Sequence, residues 1–348
     1  MQRITLTRRQ AILSAAGLGA AAMAGRARAQ PAFSAPAALV EAARKEGRVV
    51  FYTASFTEVE QETIAEFNKR FPFVRVEMVR ASGGQLITRV RTEAAAGKLV
   101  ADVVDHSDRG LMKDIEELFA DYAPPNAAAY LDAARVSSKI WPRITPVWCI
   151  AYHTELVRNP PRTWMDLTKP EYAGGQIGQV IAPSGGTTWT RIMFERQVLG
   201  DDYWAKQAAT KPTLYPSGAP ASDSLVRGEV VVAPLIRNAI FPKKREGAPI
   251  ELVFPTEGLP IVPYAAGIPK TAANPNAARL FLDWCMSDEG QAFTMLQQGN
   301  LTSLKVPPVA VPGFDPAVNK VWVPDYAQFV ALRAPWIEEW NKTYGYRQ

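Results

Sequence analysis

Trp141-Pro142-Arg143-Ile144-Thr145-Pro146-Val147-Trp148-Cys149-Ile150-Ala151-Tyr152-His153-Thr154 is a long apolar, strand-like passage in the middle of the chain. It interrupts an otherwise regular alternation of short strands and helices. Before it, residues 37–46 read as an alanine-rich helix closed by Gly47. Residues 48–52 then read as a strand, and Thr57 with Glu60 as a capping box opening a helix. Residues 73–79 alternate apolar and polar as a strand does, 86–96 are helical up to Gly97, and 102–105 form a third strand. Strand–helix–strand repetition of this kind implies a mostly parallel sheet with helices on its faces.

Beyond the passage the alternation restarts. Strands are expected at 176–182, 213–215 and 230–233, with helices at 187–199 and near 222–227. A second apolar passage follows at 250–254 and 261–268, then helices at 275–286, 288–297 and 326–342. Two α/β units joined by two extended crossings imply two lobes with a cleft between them. The expected division is residues 36–145 for the first lobe, 146–255 for the second, and 256–348 returning to the first with the C-terminal helices. A cleft between such units is where ligands bind.

The head of the chain has a separate meaning. Basic residues at Arg3, Arg8 and Arg9 lead into an apolar run over 11–24, and Ala27-Arg28-Ala29 is a small-x-small cleavage pattern. The run is too short for a membrane span, which takes about 20 residues. Residues 1–29 therefore read as a signal peptide, and the Arg8-Arg9 pair points to twin-arginine export, which puts the mature protein in the periplasm. Those residues hold five arginines and no acid, which accounts for the whole formal charge of +5. A basic chain would suggest nucleic acid or an anionic membrane as partner; here the excess belongs to targeting, and neither partner is implied.

The two cysteines, Cys149 and Cys285, sit in apolar surroundings and read as separate buried thiols. The two histidines, His106 and His153, lie far apart, and zinc-ligand spacing, a Gly-x-Ser-x-Gly elbow and a P-loop are all absent from the sequence. Asp105-His106-Ser107-Asp108 contains triad residue types, but sequence neighbours rarely face one another. An enzyme is not indicated, nor a cofactor or resident metal.

Two loops share one design. Ala81-Ser82-Gly83-Gly84 and Pro183-Ser184-Gly185-Gly186-Thr187-Thr188 each follow a strand and open a helix. Such turns leave backbone N–H groups bare at a positive helix end, which favours an anion. Tyr215-Pro216-Ser217-Gly218 is a third turn of this type, and Thr53, Ser55 and Ser107 stand at strand ends where open sheets bind ligands. The candidate ligand residues are thus Thr53, Ser55, Ser82, Gly83, Gly84, Ser107, Ser184, Gly185, Thr187 and Ser217.

Several segments carry a resemblance. Leu39-Val-Glu-Ala-Ala-Arg-Lys-Glu-Gly47, Ala94-Ala-Ala-Gly-Lys-Leu-Val-Ala-Asp-Val103, Leu225-Val-Arg-Gly-Glu-Val-Val-Val232, Ala273-Asn-Pro-Asn-Ala-Ala-Arg-Leu-Phe-Leu-Asp283 and Ser287-Asp-Glu-Gly-Gln291 are similar to the family 1 extracellular solute-binding proteins of ABC importers. The resemblance is to the branch holding ferric-ion, organophosphonate and sugar-phosphate binders. It implies a two-lobed type II periplasmic binding fold, and a monomer that captures a small, anionic organic solute for an inner-membrane permease. Ferric binders of this branch use two adjacent tyrosines before a segment like Lys244-Arg-Glu-Gly-Ala-Pro-Ile250. That pair falls here on Asn238 and Ala239, so tyrosinate iron binding is not expected. Arg237 beside it, a planar donor fork for carboxylate or phosphate, joins the candidates with Asn238. A ferric carrier with other ligands and a secreted enzyme on the same scaffold are the alternatives.

Overall fold

A computed structural model describes residues 32–81 and 83–347. The leader with its arginine pair and cleavage pattern lies outside the described residues, as does Ser82. The helix Ala37–Glu46 ends at Gly47, whose φ of 70° suits glycine and whose N–H donates to the Ala43 carbonyl at 2.9 Å. Arg48–Thr53 follows as a strand buried from Val49 onward, and Thr57–Arg70 as a helix. The expected capping box does not form. Phe56 occupies the cap position, and Glu60 is drawn into the interior by Arg143, whose Nη2 donates to it at 2.6 Å.

The first lobe is built on a five-stranded sheet, ordered Arg75–Arg80, Arg48–Thr53, Val103–His106, Ala265–Gly267, Trp141–Pro142. The first three run parallel, in the register Tyr52↔Val79 and Tyr52↔Val104, while Ala265–Gly267 runs antiparallel to both neighbours. That strand reaches this sheet from the second lobe, which explains its reversed direction. Helices Ala37–Glu46, Thr57–Arg70 and Pro275–Met286 share one core, in which Phe67 of the second meets Phe281 and Trp284 of the third.

In the second lobe Trp148–His153 is the centre of a three-stranded antiparallel sheet between Val232–Ile236 and Ile250–Val253. The expectation of a mostly parallel sheet holds only for Gly178–Val180 with Thr213–Tyr215 and for the bridge of Ile177 to Val232. Ile250–Val253, read from sequence as part of a crossing, is an edge strand of this lobe. The core is aromatic, with Trp164, Trp189, Trp204 and Phe194 all buried.

The lobes are joined by extended segments lying side by side. Val147 bridges Ile261, and Thr145 bridges Leu301, so a third passage, 301–322, accompanies the two expected crossings. The helices Tyr326–Ala331 and Arg333–Thr343 were expected with the first lobe. Arg333–Thr343 packs instead on the second, where Trp336 meets Trp204, while Tyr326–Ala331 lies between the lobes, with Phe329 against Trp189 of the second and Val330 beside Gly110 of the first. Arg333 then reaches back to pair with Asp108 of the first lobe. Cys149 and Cys285 are free and buried, in separate lobes, and burial pushes each thiol up to about 12. Among the described residues, no helix is long and apolar enough to cross a membrane.

Candidate functional site

Three helices present their N-terminal ends to one cleft. Gly83 precedes the helix Gly84–Ala95, Gly185 precedes Gly186–Phe194, and Ser217 precedes Gly218–Val226. None of the three cap positions makes a side-chain capping hydrogen bond. Gly83 at φ 51° and Gly185 at φ 145° hold backbone conformations that side chains with a Cβ rarely adopt. The glycines therefore serve two ends: they permit the sharp entry into the helix, and they leave first-turn amides open to a ligand.

The cleft has a volume of about 740 Å³ including its part open to solvent. The first lobe contributes Ala54, Phe56, Arg80, Gly83 and Ser107 to its wall. The second contributes Trp148, Ser184, Gly185, Thr187, Ser217 and neighbours, and Tyr264 comes from a crossing. Arg80 is the one charged side chain in this lining among the described residues, and no carboxylate faces it. Three helix N-termini and one guanidinium thus face the cleft with no carboxylate in its lining.

Buried groups hold the wall in place. The Asp108 N–H donates to His106 Nδ1 at 2.8 Å, which leaves the proton on Nε2; that nitrogen donates to the Gly83 carbonyl, also at 2.8 Å. Burial lowers the His106 pKa, so the ring is neutral at pH 7 and fixes the Gly83 turn without adding charge. Trp148 Nε1 donates to the Thr187 carbonyl at 3.0 Å, and Arg80 Nε to the Ser55 carbonyl at 3.3 Å. The Tyr264 phenol is raised by burial and by the Asp105 and Glu60 carboxylates, and so remains a neutral donor beside Ser107. Beneath it, Arg143 Nε donates to Asp105 Oδ2 at 3.0 Å, tying the first crossing to the sheet.

Gly83, Ser107, Ser184, Gly185, Thr187 and Ser217 thus meet in one cavity. The other candidates are placed differently. Thr53 is buried and donates through Oγ1 to Asp105 at 3.2 Å, while the Ser55 N–H donates to Thr53 at 3.0 Å, so Ala54 alone of that segment reaches the cleft. Gly84 begins its helix just outside the lining. Arg237 is a correction to expectation. Its guanidinium stacks at 4.2 Å over Phe241 and 5.7 Å from Phe254, beneath the cleft wall. Two aromatic faces flank its flat cation, Nη1 has no hydrogen-bond partner, and the side chain is not part of the cleft lining at which sequence reading aimed it. Asn238 lines an adjoining chamber.

Sequence reading missed Arg80, Trp148 and Tyr264. Arg80 immediately precedes the Ala81 turn, a signal that could have found it; the other two lie in the apolar passages. Around Asp105-His106-Ser107-Asp108 the side chains are engaged separately and form no triad. Asp108 caps the helix Arg109–Lys113 by accepting from the Gly110 and Leu111 N–H groups. Among the described residues, no three His, Cys, Asp or Glu side chains cluster as metal ligands.

Comparison with known proteins gives the same direction. Residues 53–292 match the family model described as bacterial extracellular solute-binding protein. An uncharacterized protein of Haemophilus influenzae is 28% identical over 328 residues, covering 86% of this chain and 91% of that protein. The crystal structure of the substrate binding protein of an ABC transporter from Agrobacterium tumefaciens superposes with a TM-score of 0.73 at 18% identity, covering 85% and 94% of the two chains. The periplasmic binding protein AfuA from Actinobacillus pleuropneumoniae, with fructose-6-phosphate bound, superposes with a TM-score of 0.70 at 23% identity, covering 86% and 99%.

Proposed function

Since the chain belongs to the bacterial extracellular solute-binding proteins, we propose that it captures a small anionic organic solute in the periplasm and delivers it to an ABC permease. The observation that carries this reading is the convergence of three uncapped helix N-termini and Arg80 on one cleft without a carboxylate in its lining. AfuA, with a sugar phosphate bound, shares the fold and supports the solute class by analogy.

The solute bridges both walls, with Gly83 and Arg80 on one side and Ser184, Gly185 and Ser217 on the other. Only a ligand that contacts both lobes can favour their closed arrangement, because a shift in population requires differential affinity for the two states. The subunit acts as a monomer, makes and breaks no bond, and enters the periplasm after loss of residues 1–29 through the twin-arginine route.

A thermal-shift screen of sugar phosphates, phosphonates, carboxylates and ferric citrate tests the reading. A solute at a hundred times its Kd adds roughly 2.7 kcal/mol of stability. Stabilisation by an organic anion is expected; stabilisation by ferric ion alone, or by neutral sugars alone, overturns it. N-terminal sequencing of the periplasmic protein, beginning at Gln30, checks the leader.

A further inference from the structure

A second chamber of about 760 Å³, including its part open to solvent, adjoins the cleft and shares Phe56 and Ala219 with it. Its lining differs in charge. Glu58, Asp223 and Glu246 face it against a single cation, Lys243, and Lys243 is already paired with Asp223. Among the described residues, Glu58 and Glu246 have no hydrogen-bond or ion-pair partner. Asn238 lines the same chamber, 1% exposed, and neither its amide oxygen nor its amide nitrogen is paired. A buried amide with both ends unmade is costly unless something else completes it. The protein offers no completing group, so an occupant of the chamber is the natural one.

We propose that this chamber is a subsite for a primary ammonium group, and that the solute is dipolar, its anion held at the three helix N-termini and its cation by Asn238, Glu58 and Glu246. The inference rests on the anion reading of the first chamber and deepens it. The Asn238 oxygen accepts one ammonium N–H at the floor, and the two carboxylates at the exposed rim supply the countercharge. Because the chambers meet at Phe56 and Ala219, one molecule spans both, with its apolar spacer beside the phenyl ring.

Titration calorimetry with two matched series tests the proposal: ω-aminoalkyl phosphates of two to six carbons, and alkyl phosphates of the same lengths. At the best length the amine is expected to bind at least tenfold more tightly than its alkyl partner. The Glu58→Gln/Glu246→Gln double variant should abolish that preference and leave alkyl phosphate affinity unchanged. Asn238→Leu should reduce the preference in the same way, with thermal melting as the check on folding. Alkyl phosphates binding with no preference for the amine at any length, or a preference that survives in the double variant, overturns the subsite and leaves the anion reading standing. If no phosphate of either series binds, the anion reading fails, and hexylamine then judges the second chamber alone. Saturable hexylamine binding lost in the double variant supports the chamber, and no binding overturns it.

Discussion

Gly186→Ala is expected to hold the two lobes apart. A Cβ at Gly186 would stand 2.8 Å from Asp108 Cα, 2.9 Å from its Cβ and 3.0 Å from its N. Carbon atoms pack favourably at about 3.5–4.0 Å, so the groups must separate by roughly 0.7–1.2 Å. Neither side yields cheaply. Asp108 is pinned through its N–H to His106, through its carboxylate to Gly110 and Leu111 at 3.1 and 3.2 Å, and by Arg333. The Gly186 turn is fixed by Thr190 Oγ1, which donates to its carbonyl at 2.9 Å. Overpacking of this kind costs about 1–3 kcal/mol. We assign this contact, which joins the second lobe to the first, to the closed arrangement, so the cost falls there and solute affinity should drop about 5–150-fold. Alanine is the better helix former, so melting of the unliganded protein should not suffer. Small-angle scattering of the unliganded variant should show a larger radius of gyration, and calorimetry the weaker binding. An unchanged radius together with unchanged affinity would refute the assignment of this contact to lobe closure.

Three further outcomes are expected. Arg80→Gln removes a charge-assisted bond worth about 1.5–3 kcal/mol and should weaken alkyl phosphate binding, with a difference from wild type that shrinks as salt rises; equal affinity at low salt would take Arg80 out of the site. Arg237→Met replaces a buried, partly unpaired guanidinium by an apolar chain, and should leave solute affinity unchanged with melting equal to or above wild type. A tenfold loss of affinity would place this arginine on the ligand after all. His106 has its pKa lowered in the folded protein, so above pH 6.5 both states are neutral and its contribution is intact. As pH falls below that value the unfolded chain takes up the proton first, and stability is lost. The melting advantage of wild type over His106→Asn should therefore shrink between pH 7 and pH 5. Asp105, raised by burial, acts in the opposite sense but is common to both proteins and cancels in the difference; an advantage that stays constant with pH is the refuting result.

What the sequence disclosed was local. The glycine turns at 83 and 185 and the serine at 217 were legible as helix starts, because Ser and Gly between a strand and a helix are local turn and cap signals that need no distant partner. What escaped it depended on partners distant in sequence. Thr57 and Glu60 satisfy the capping pattern, yet Arg143, 83 residues away, takes the carboxylate. Trp148 and Tyr264 sit in apolar passages and read as core, whereas one edge of each faces the cleft. Arg237 has the chemistry for an anion, but the aromatic rings that hold it are set by tertiary packing. The closing helices carry no sign of which lobe they will join.

The third passage between the lobes bears on the kind of movement open to the molecule. Two adjacent connections define an axis and leave both bending and twisting free. Here the segment through Leu301 and Trp322 runs beside them, and the last of the terminal helices it feeds sits on one lobe while Arg333 grips the other at Asp108. The Arg333–Asp108 pair ties the two lobes directly, so an opening that draws Asp108 away from the terminal helices has to break it, and the resistance to opening is set in part by Arg333.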